Sequence, residues 1–434
     1  MDQTKFRRLA QLMVAALGLV IAPLAAAMPE VTSVALAQDE GSKWTTITYA
    51  LSGAPAVVTL DVQTNSVIGT VTNWVSIGGT NLGEFDAAQP VFRKVEANGT
   101  YTISWNPVAT WSNQTVRAGG IRAVVTAWAM DDTPDYMVVD PTGTAVTRYY
   151  PSVDFLPGGL LANEAYRKTL LVMRKIRAKN VPWTMGTVME PNRGANEHPH
   201  LVTLTNNYYI GVFEVTQKQY DTVAGSNPSY FIKDGDMRPV EKVSYTTLRG
   251  TTKWPTAPKA SSFLDTLRTN TGIDFDLPSE AQWEFAARGG TGEGFWPNGA
   301  RQEWSAAGTP GRCQQNGGYP KAGDVNYGNT KTNEWTSANG TAICGSYDPN
   351  PLGLYDMAGN VFEWCLDMVD DTLQSLNATG DVNLTSANND RRRGRGGAWD
   401  MGYNVCRPSA RDFSGYTSAT WRRGCRVMCR AGLK

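Results

Sequence analysis

The sequence predicts an α+β protein in which an antiparallel β-sandwich precedes a loop-rich domain with few helices. Residues 46–51, 57–62 and 101–105 alternate apolar and polar side chains, as half-buried strands do. Glycine, proline and asparagine separate these segments at intervals typical of short antiparallel strands. The 43 glycines and 14 tryptophans favour a loop-rich fold held by buried aromatic rings.

The first 27 residues have the features of a secretory signal. Cations at positions 5, 7 and 8 precede an apolar run over 9–24, and three alanines at 25–27 supply a cleavage site. Cleavage at 35–37 and an uncleaved membrane anchor are the alternatives. No other stretch approaches the roughly 20 apolar residues that span a bilayer. The mature protein is therefore predicted to be secreted, periplasmic or on the cell surface.

Two domains and a linker are predicted after the signal. The β-sandwich occupies residues 28–150, beginning with a strand over 31–38, and shows no catalytic constellation. Residues 151–168 contain proline and paired glycines and form the linker. The second domain covers residues 169–434.

The second domain contains two predicted helices. Apolar spacing predicts a helix over 216–223. Ser279 followed by Gln282 forms a capping box for another helix, which ends near 288–290. Long irregular loops, including 290–345, make up much of the rest, and such loops need support or carry function.

The charge pattern excludes some partners. The chain has 40 basic and 40 acidic residues, so it lacks the positive balance typical of nucleic-acid-binding proteins. The local cluster of Arg391, Arg392, Arg393 and Arg395 is predicted to be a solvated turn before a strand.

The cysteines all lie in the second domain. An even number in an exported chain permits up to three disulfides. The only histidines, His198 and His200, exclude a histidine-rich metal centre. The six cysteines are Cys313, Cys344, Cys365, Cys406, Cys425 and Cys429.

The acidic loop, residues 353–364 with the sequence GLYDMAGNVFEW, is the most informative segment. Asp356 and Glu363 supply carboxylates, and Gly359 can expose its carbonyl because it has no side chain. Calcium takes six to eight such oxygen ligands. The sequence therefore predicts a calcium loop, with an acidic turn between core aromatics as the alternative.

Several ordered motifs resemble the formylglycine-generating enzyme (sulfatase-modifying factor) family. They are LPSEAQWEFAARGG at 277–290, the acidic loop, and RGGAW at 395–399, with further similarity at 208–217 and 424–426. The resemblance covers residues 169–434 and implies a C-type-lectin-like fold. It also implies calcium bound by Asp356, Glu363 and the carbonyls of Gly359 and Val361. A second calcium site would begin at Asn326 and Tyr327.

The family resemblance also implies a copper-dependent oxidation of a substrate cysteine to formylglycine. The copper cysteines of the family correspond to Met401 and Cys406, so one thiol is replaced by a thioether. Because Cu(I) favours soft thiolate ligands, this replacement predicts a degraded copper site. Ala398 replaces the serine of the family. Cys406 is either a weak catalytic thiol or a structural cysteine, which leaves open a disulfide with Cys425 or Cys429.

The C-terminal loops carry aromatic rings interleaved with short polar residues. Such rings give large contact area at low entropy cost, so a ligand-binding surface is predicted. A role in the core is the alternative and is expected for Trp399. This stretch is similar to the variable loop of diversified lectin-like binders. The predicted contact residues are Trp399, Asp400, Tyr403, Asn404, Asp412, Phe413, Tyr416 and Trp421.

Two functions follow. The first is a secreted or cell-surface binding protein on a formylglycine-generating-enzyme-like scaffold, with an extracytoplasmic protein, peptide or glycan ligand. The alternative is an active copper-dependent oxidase or another protein-modifying enzyme of the family, which would use Cys406.

Overall fold

The computed structural model describes residues 28–68, 71–116, 119–188, 193–290, 340–369, 378–379, 390–401 and 405–432. The predicted signal at 1–27 lies outside these residues, as does the span 291–339 with Cys313. Strands dominate and the helices are short, so the predicted α+β class is confirmed. None of the helices in these ranges is long and apolar enough to cross a membrane.

The strands and helices follow one another along the chain. In order, the strands are β1 Glu30–Gln38, β2 Thr45–Ser52, β3 Ala56–Ile68, β4 Val71–Ser76, β5 Arg93–Val95, β6 Gly99–Trp105, β7 Ile121–Trp128, β8 Tyr136–Val139, β9 Arg148–Tyr150, β10 Leu171–Ile176, β11 Pro182–Met185, β12 His200–Thr203, β13 Tyr208–Gly211, β14 Phe362–Met368, β15 Ala378–Thr379, β16 Arg391–Arg395, β17 Asp412–Gly415, β18 Arg423–Gly424 and β19 Met428–Arg430. The helices are α1 Gly79–Leu82, α2 Pro107–Thr110, α3 Ala165–Lys168, α4 Gln217–Ala224, α5 Tyr245–Arg249, α6 Phe263–Thr271 and α7 Glu280–Ala287.

The N-terminal strands form two antiparallel sheets that share one core. The first sheet has the order β1-β2-β6, and in the second β3 pairs with β4, β5 and β7. Ile47 and Tyr49 of β2 are buried in the same apolar cluster as Val58 and Leu60 of β3. The alternating pattern of the sequence therefore does mark strands with one face on a core.

A five-stranded sheet crosses the predicted domain boundary. Its order is β19-β13-β10-β8-β9, so β8 from the predicted sandwich range pairs with β10 of the second domain, and β9 extends the sheet beyond β8. Leu171 of β10 lies opposite Val139 of β8, and Arg174 lies opposite Tyr136. A boundary at residue 150 would therefore divide one hydrogen-bonded sheet.

Both predicted helices are confirmed, and their caps explain where they begin. The Thr216 side chain accepts a hydrogen bond from the backbone N–H of Gln219 at the start of α4. The Gln219 side-chain oxygen in turn accepts one from the backbone N–H of Thr216. Ser279 and Gln282 form the same capping box at the start of α7. These reciprocal bonds satisfy backbone donors that the first turn of a helix leaves open.

The arginine cluster is largely buried, so the prediction of a solvated turn was wrong. Residues 391–395 form β16, and Arg393 and Arg395 are 1% and 0% exposed. Arg395 pairs with Glu284 of α7 and lies 3.5 Å from a Glu280 oxygen. Burial is stable here because α7 supplies compensating carboxylates, a tertiary contact that local sequence does not show.

Candidate functional site

The acidic loop places its polar residues in the protein interior. Asp356, Gly359 and Asn360 have φ angles of 59°, 101° and 62°. Glycine adopts this left-handed conformation freely, and aspartate and asparagine tolerate it better than most residues. Asp356, Val361 and Glu363 are all buried within the turn that results. The four predicted calcium ligands therefore lie in one buried loop.

The Glu363 carboxylate is held by a buried arginine. Arg426 donates to it from Nε at 3.0 Å and from Nη2 at 2.7 Å, and the Trp283 indole N–H donates at 2.6 Å. Arg426 also donates to the carbonyls of Gly211 and Tyr355 at 2.9 and 2.7 Å. Glu363 is thus charge-compensated, and Arg426 links the acidic loop to the end of β13 through the Gly211 carbonyl.

Two other buried carboxylates, Glu214 and Asp356, form no ion pair within the described part of the chain. Glu214 accepts the Asn360 side-chain amide at 2.6 Å and the Val361 backbone N–H at 3.2 Å. Asp356 accepts the Gly345 N–H through Oδ2 at 2.7 Å. Its Oδ1 atom is buried and accepts no hydrogen bond from any residue that the structure describes.

Burial gives both carboxylates perturbed pKa values. It raises the pKa of Asp356 to about 6, with the Glu363 charge adding to the rise. It raises the pKa of Glu214 well above the usual range, and the charges of Asp356 and Glu363 raise it further. A bound cation would stabilise the ionised forms of both; the buried Asp356 carboxylate, beside the carbonyls of the acidic loop, fits a hard divalent cation such as calcium.

The predicted copper position holds a buried cysteine and a partly buried thioether. Met401 packs against a small apolar cluster of Ala358 and Cys406, and Cys406 is 0% exposed. Gly397 has a φ of 78°, and a Cβ there would lie 2.4 Å from the Cys406 Sγ atom. The glycine therefore permits the close approach of this sulfur. Ala398 is buried and supplies no hydroxyl.

Part of the predicted ligand surface forms a continuous aromatic patch. Trp421 and Tyr230 have ring centroids 6.4 Å apart, and both rings are exposed. Tyr230 contacts Phe231 at 5.2 Å, which in turn contacts the buried Trp399 at 5.2 Å. Ile232, in the same turn as Tyr230, is exposed as well. We call Tyr230, Ile232 and Trp421 the aromatic patch.

A polar pair lies beside the patch in sequence. Asp400, next to Trp399, accepts from Arg422, next to Trp421, with a shortest distance of 2.7 Å. The Arg422 side chain remains 38% exposed, whereas that of Asp400 is 7% exposed. The structure thus brings together Trp399, Asp400 and Trp421 from the predicted contact set.

Three further predicted contact residues lie on or next to β17. Asp412 pairs with Arg423, and the exposed Phe413 ring lies under the Arg391 guanidinium at 4.9 Å. Tyr416 is partly buried and packs against the apolar cluster that contains Tyr245 and Trp364. Tyr403 and Asn404, and the second calcium residues Asn326 and Tyr327, lie outside the described residues.

The described cysteines do not form the predicted disulfides with one another. Cys344, Cys365, Cys425 and Cys429 are buried free thiols. The pairing of Cys406 with Cys425 or Cys429 is therefore absent. Burial raises the pKa of the Cys365 and Cys425 thiols, which keeps them protonated and unreactive.

Sequence reasoning missed three residues at these sites. Glu214 and Arg426 lie in the motifs at 208–217 and 424–426, but a single charged residue within a strand-like motif gives no sign of its partner. Tyr230 lies far from Trp421 in the chain, so only the fold reveals their contact.

The fold and the site define a loop-rich α+β domain built around a buried acidic centre. Residues 174–431 match the family described as sulfatase-modifying factor enzyme 1-like domain. This match covers more than half of the 434 residues, so the chain belongs to that family.

Individual relatives show partial similarity. The chaperone protein LppX of Paenibacillus barcinonensis is 34% identical over 186 residues, which are 38% of this chain and 63% of that protein. A formylglycine-generating enzyme of Streptomyces coelicolor is 38% identical over 109 residues, 24% of this chain and 30% of that enzyme. The chain thus spans less than two thirds of the length of either relative.

Solved structures align with a similar share of the chain. Treponema denticola variable protein 1 has a TM-score of 0.46 and 24% identity, covering 60% of this chain and 96% of that one. PvdO from Pseudomonas aeruginosa has a TM-score of 0.46 and 22% identity, covering 60% of this chain and 94% of that one.

Proposed function

We propose that this protein is an extracytoplasmic ligand-binding member of its family and not a copper oxidase. The observation that carries the proposal is the sulfur pair of Met401 and Cys406. A neutral thioether lacks the charge of a thiolate, and Cys406 is completely buried. Copper oxidation of a cysteine in a peptide requires a thiolate that copper and substrate can reach. The signal-like first 27 residues support export.

The aromatic patch is the proposed ligand surface. Exposed tryptophan and tyrosine side chains bind with little loss of conformational freedom, and Arg422 adds a charged donor at the rim. We infer a polypeptide ligand, because the LppX relative is named a chaperone protein and an extended chain can lay side chains against adjacent rings. A glycan that stacks on Trp421 is the other candidate.

A turnover assay tests the function. The unmodified protein should bind Cu(I) weakly and leave a cysteine-containing sulfatase peptide unconverted. A Met401→Cys, Ala398→Ser double variant restores both residues of the family, so we expect it to gain copper binding, measured by competition with a Cu(I) chelator. The matched control is Met401→Leu, which should bind no more copper than the native protein. Formylglycine production by the native protein, abolished in Cys406→Ser, would establish the oxidase instead.

Calcium is the proposed stabilising ion of the acidic loop. Asp356 and the carbonyls of Gly359 and Val361 would hold it, with Glu363 shared with Arg426. An ion bound only to the folded state stabilises that state by about 2.7 kcal/mol at a hundredfold excess over its Kd. Chelation should therefore lower the melting temperature, which intrinsic tryptophan fluorescence measures.

Asp356→Asn is the variant that isolates the calcium effect. It removes the charge of the unpartnered oxygen while preserving side-chain shape, so its melting temperature should not respond to chelator. Asp400→Asn alters a carboxylate next to the patch and should keep the native response. An unchanged native melting curve in chelator would remove calcium from the proposal.

A further inference from the structure

A thiol lies next to the two uncompensated carboxylates. The Cys344 Sγ atom is 3.5 Å from Glu214 Oε2, and ligand atoms of Glu214, Cys344 and Asp356 all lie within 4.8 Å of one another. All three residues are buried, and Cys344 is a free thiol. Neither Cys344 nor Glu214 belongs to the ligand set proposed for calcium.

The charges of this cluster call for a cation. Glu363 is neutralised by Arg426, whereas the hydrogen bonds that Glu214 and Asp356 accept from described residues come from neutral donors. Within the described ranges, the buried Asp356 Oδ1 atom has no hydrogen-bond partner. Buried carboxylates are stable as ions only when they are paired or bind a metal, so a group that completes this cluster is expected to be positive.

The geometry selects the kind of cation. A tetrahedral zinc ion with sulfur at about 2.3 Å and oxygen at about 2.1 Å sets those two ligand atoms about 3.6 Å apart. The Cys344 Sγ and Glu214 Oε2 atoms already have nearly this separation, at 3.5 Å. Calcium takes oxygen ligands, so it makes no use of a thiol. Zinc accepts both sulfur and carboxylate ligands.

We propose that Glu214, Cys344 and Asp356 form a zinc site beneath the acidic loop. On binding, the Cys344 thiol releases its proton to water. The bond from the thiolate sulfur to zinc then replaces the hydrogen bond from the thiol to Glu214. Oε2 of Glu214 keeps its second bond, from the Asn360 amide, which orients the carboxylate as outer partners of metal ligands do. Asp356 is common to this site and to the site proposed for calcium.

The test uses the full chain refolded with zinc alone, because a completely buried site loads most readily during folding. After removal of free metal, native mass spectrometry should find a single retained zinc ion. Cys344→Ser should lower the zinc affinity by more than about 100-fold, since losing a direct ligand exceeds the loss from an outer-shell change. Cys365→Ser, at an equally buried free thiol outside the cluster, should retain zinc as the native protein does.

Cadmium supplies a second readout that requires only the native protein. Refolding with cadmium should produce the ultraviolet thiolate-to-metal charge-transfer band, and its absence would overturn the proposal even if Cys344→Ser failed to fold. Zinc retained equally by Cys344→Ser would place the ion elsewhere and also overturn it. Cys344→Ser should keep its melting response to calcium chelation, so failure of the zinc site and failure of the calcium site are distinguishable.

Discussion

Arg426→Ala is expected to destabilise the protein by about 3–5 kcal/mol, the loss typical when one partner of a buried ion pair is removed. Arg426 is 0% exposed. Its removal leaves the Glu363 carboxylate buried without a counter-charge. It also removes the arginine hydrogen bonds to the carbonyls of Gly211, Val212 and Tyr355. Because whole domains are stable by only about 5–15 kcal/mol, the loss should be obvious in denaturant unfolding followed by tryptophan fluorescence.

The guanidinium geometry, and not charge alone, should account for this loss. Arg426→Lys keeps the charge but cannot reach the carboxylate and three carbonyls together, so it should recover only part of the stability. Arg430→Ala, at an exposed end of β19, should change the free energy of unfolding by less than about 0.5 kcal/mol. If Arg426→Ala matched Arg430→Ala, the ion pair would have no structural role.

Much of the fold follows from local rules. The alternation in β2 and β3 and the capping boxes at Thr216 and Ser279 are each written within a few residues, so sequence reasoning finds them. The pairing of β8 with β10 is different, because strands at a distance carry no local mark of their partner. Arg393 and Arg395 mislead for the same reason, since the acids that permit their burial lie on α7.

The candidate site shows the same division. The two acids of the acidic loop are evident from its sequence, and Asp356 and Glu363 are both buried in the structure. Their separate partners were not predictable, because Arg426 takes Glu363 while Glu214 and Cys344 lie against Asp356. Local sequence therefore identifies the charged residues, whereas only the tertiary structure shows which carboxylates have an ion-pair partner and which could bind a cation.

Glu241 holds the turn that carries Tyr230 and Ile232 of the aromatic patch. Burial of its ionised carboxylate costs stability, and this cost depends on pH. One carboxylate oxygen accepts the backbone N–H of Phe231 at 2.8 Å and also that of Tyr230. Its other oxygen, Oε2, is buried without a hydrogen-bond partner. Burial raises the pKa of Glu241 from 4.5 to about 7, while the two N–H groups and the Lys242 charge oppose the rise.

The native protein should consequently lose about 3 kcal/mol of stability between pH 4 and pH 8 relative to Glu241→Gln. Below pH 4.5 the carboxyl is protonated in both folded and unfolded states and carries no penalty. As pH rises towards 7, the unfolded chain releases its proton while the folded one retains it, so stability falls until the folded pKa is passed. The glutamine Oε1 keeps both backbone hydrogen bonds, and any pH-independent effect of its amide cancels between the two pH values.

Urea unfolding at each pH measures the difference, with exposed Glu40→Gln as the control that should follow the native protein. A pH-independent gap between native and Glu241→Gln would show that Glu241 is already ionised without penalty, and that the turn bearing Tyr230 is not sensitive to its protonation.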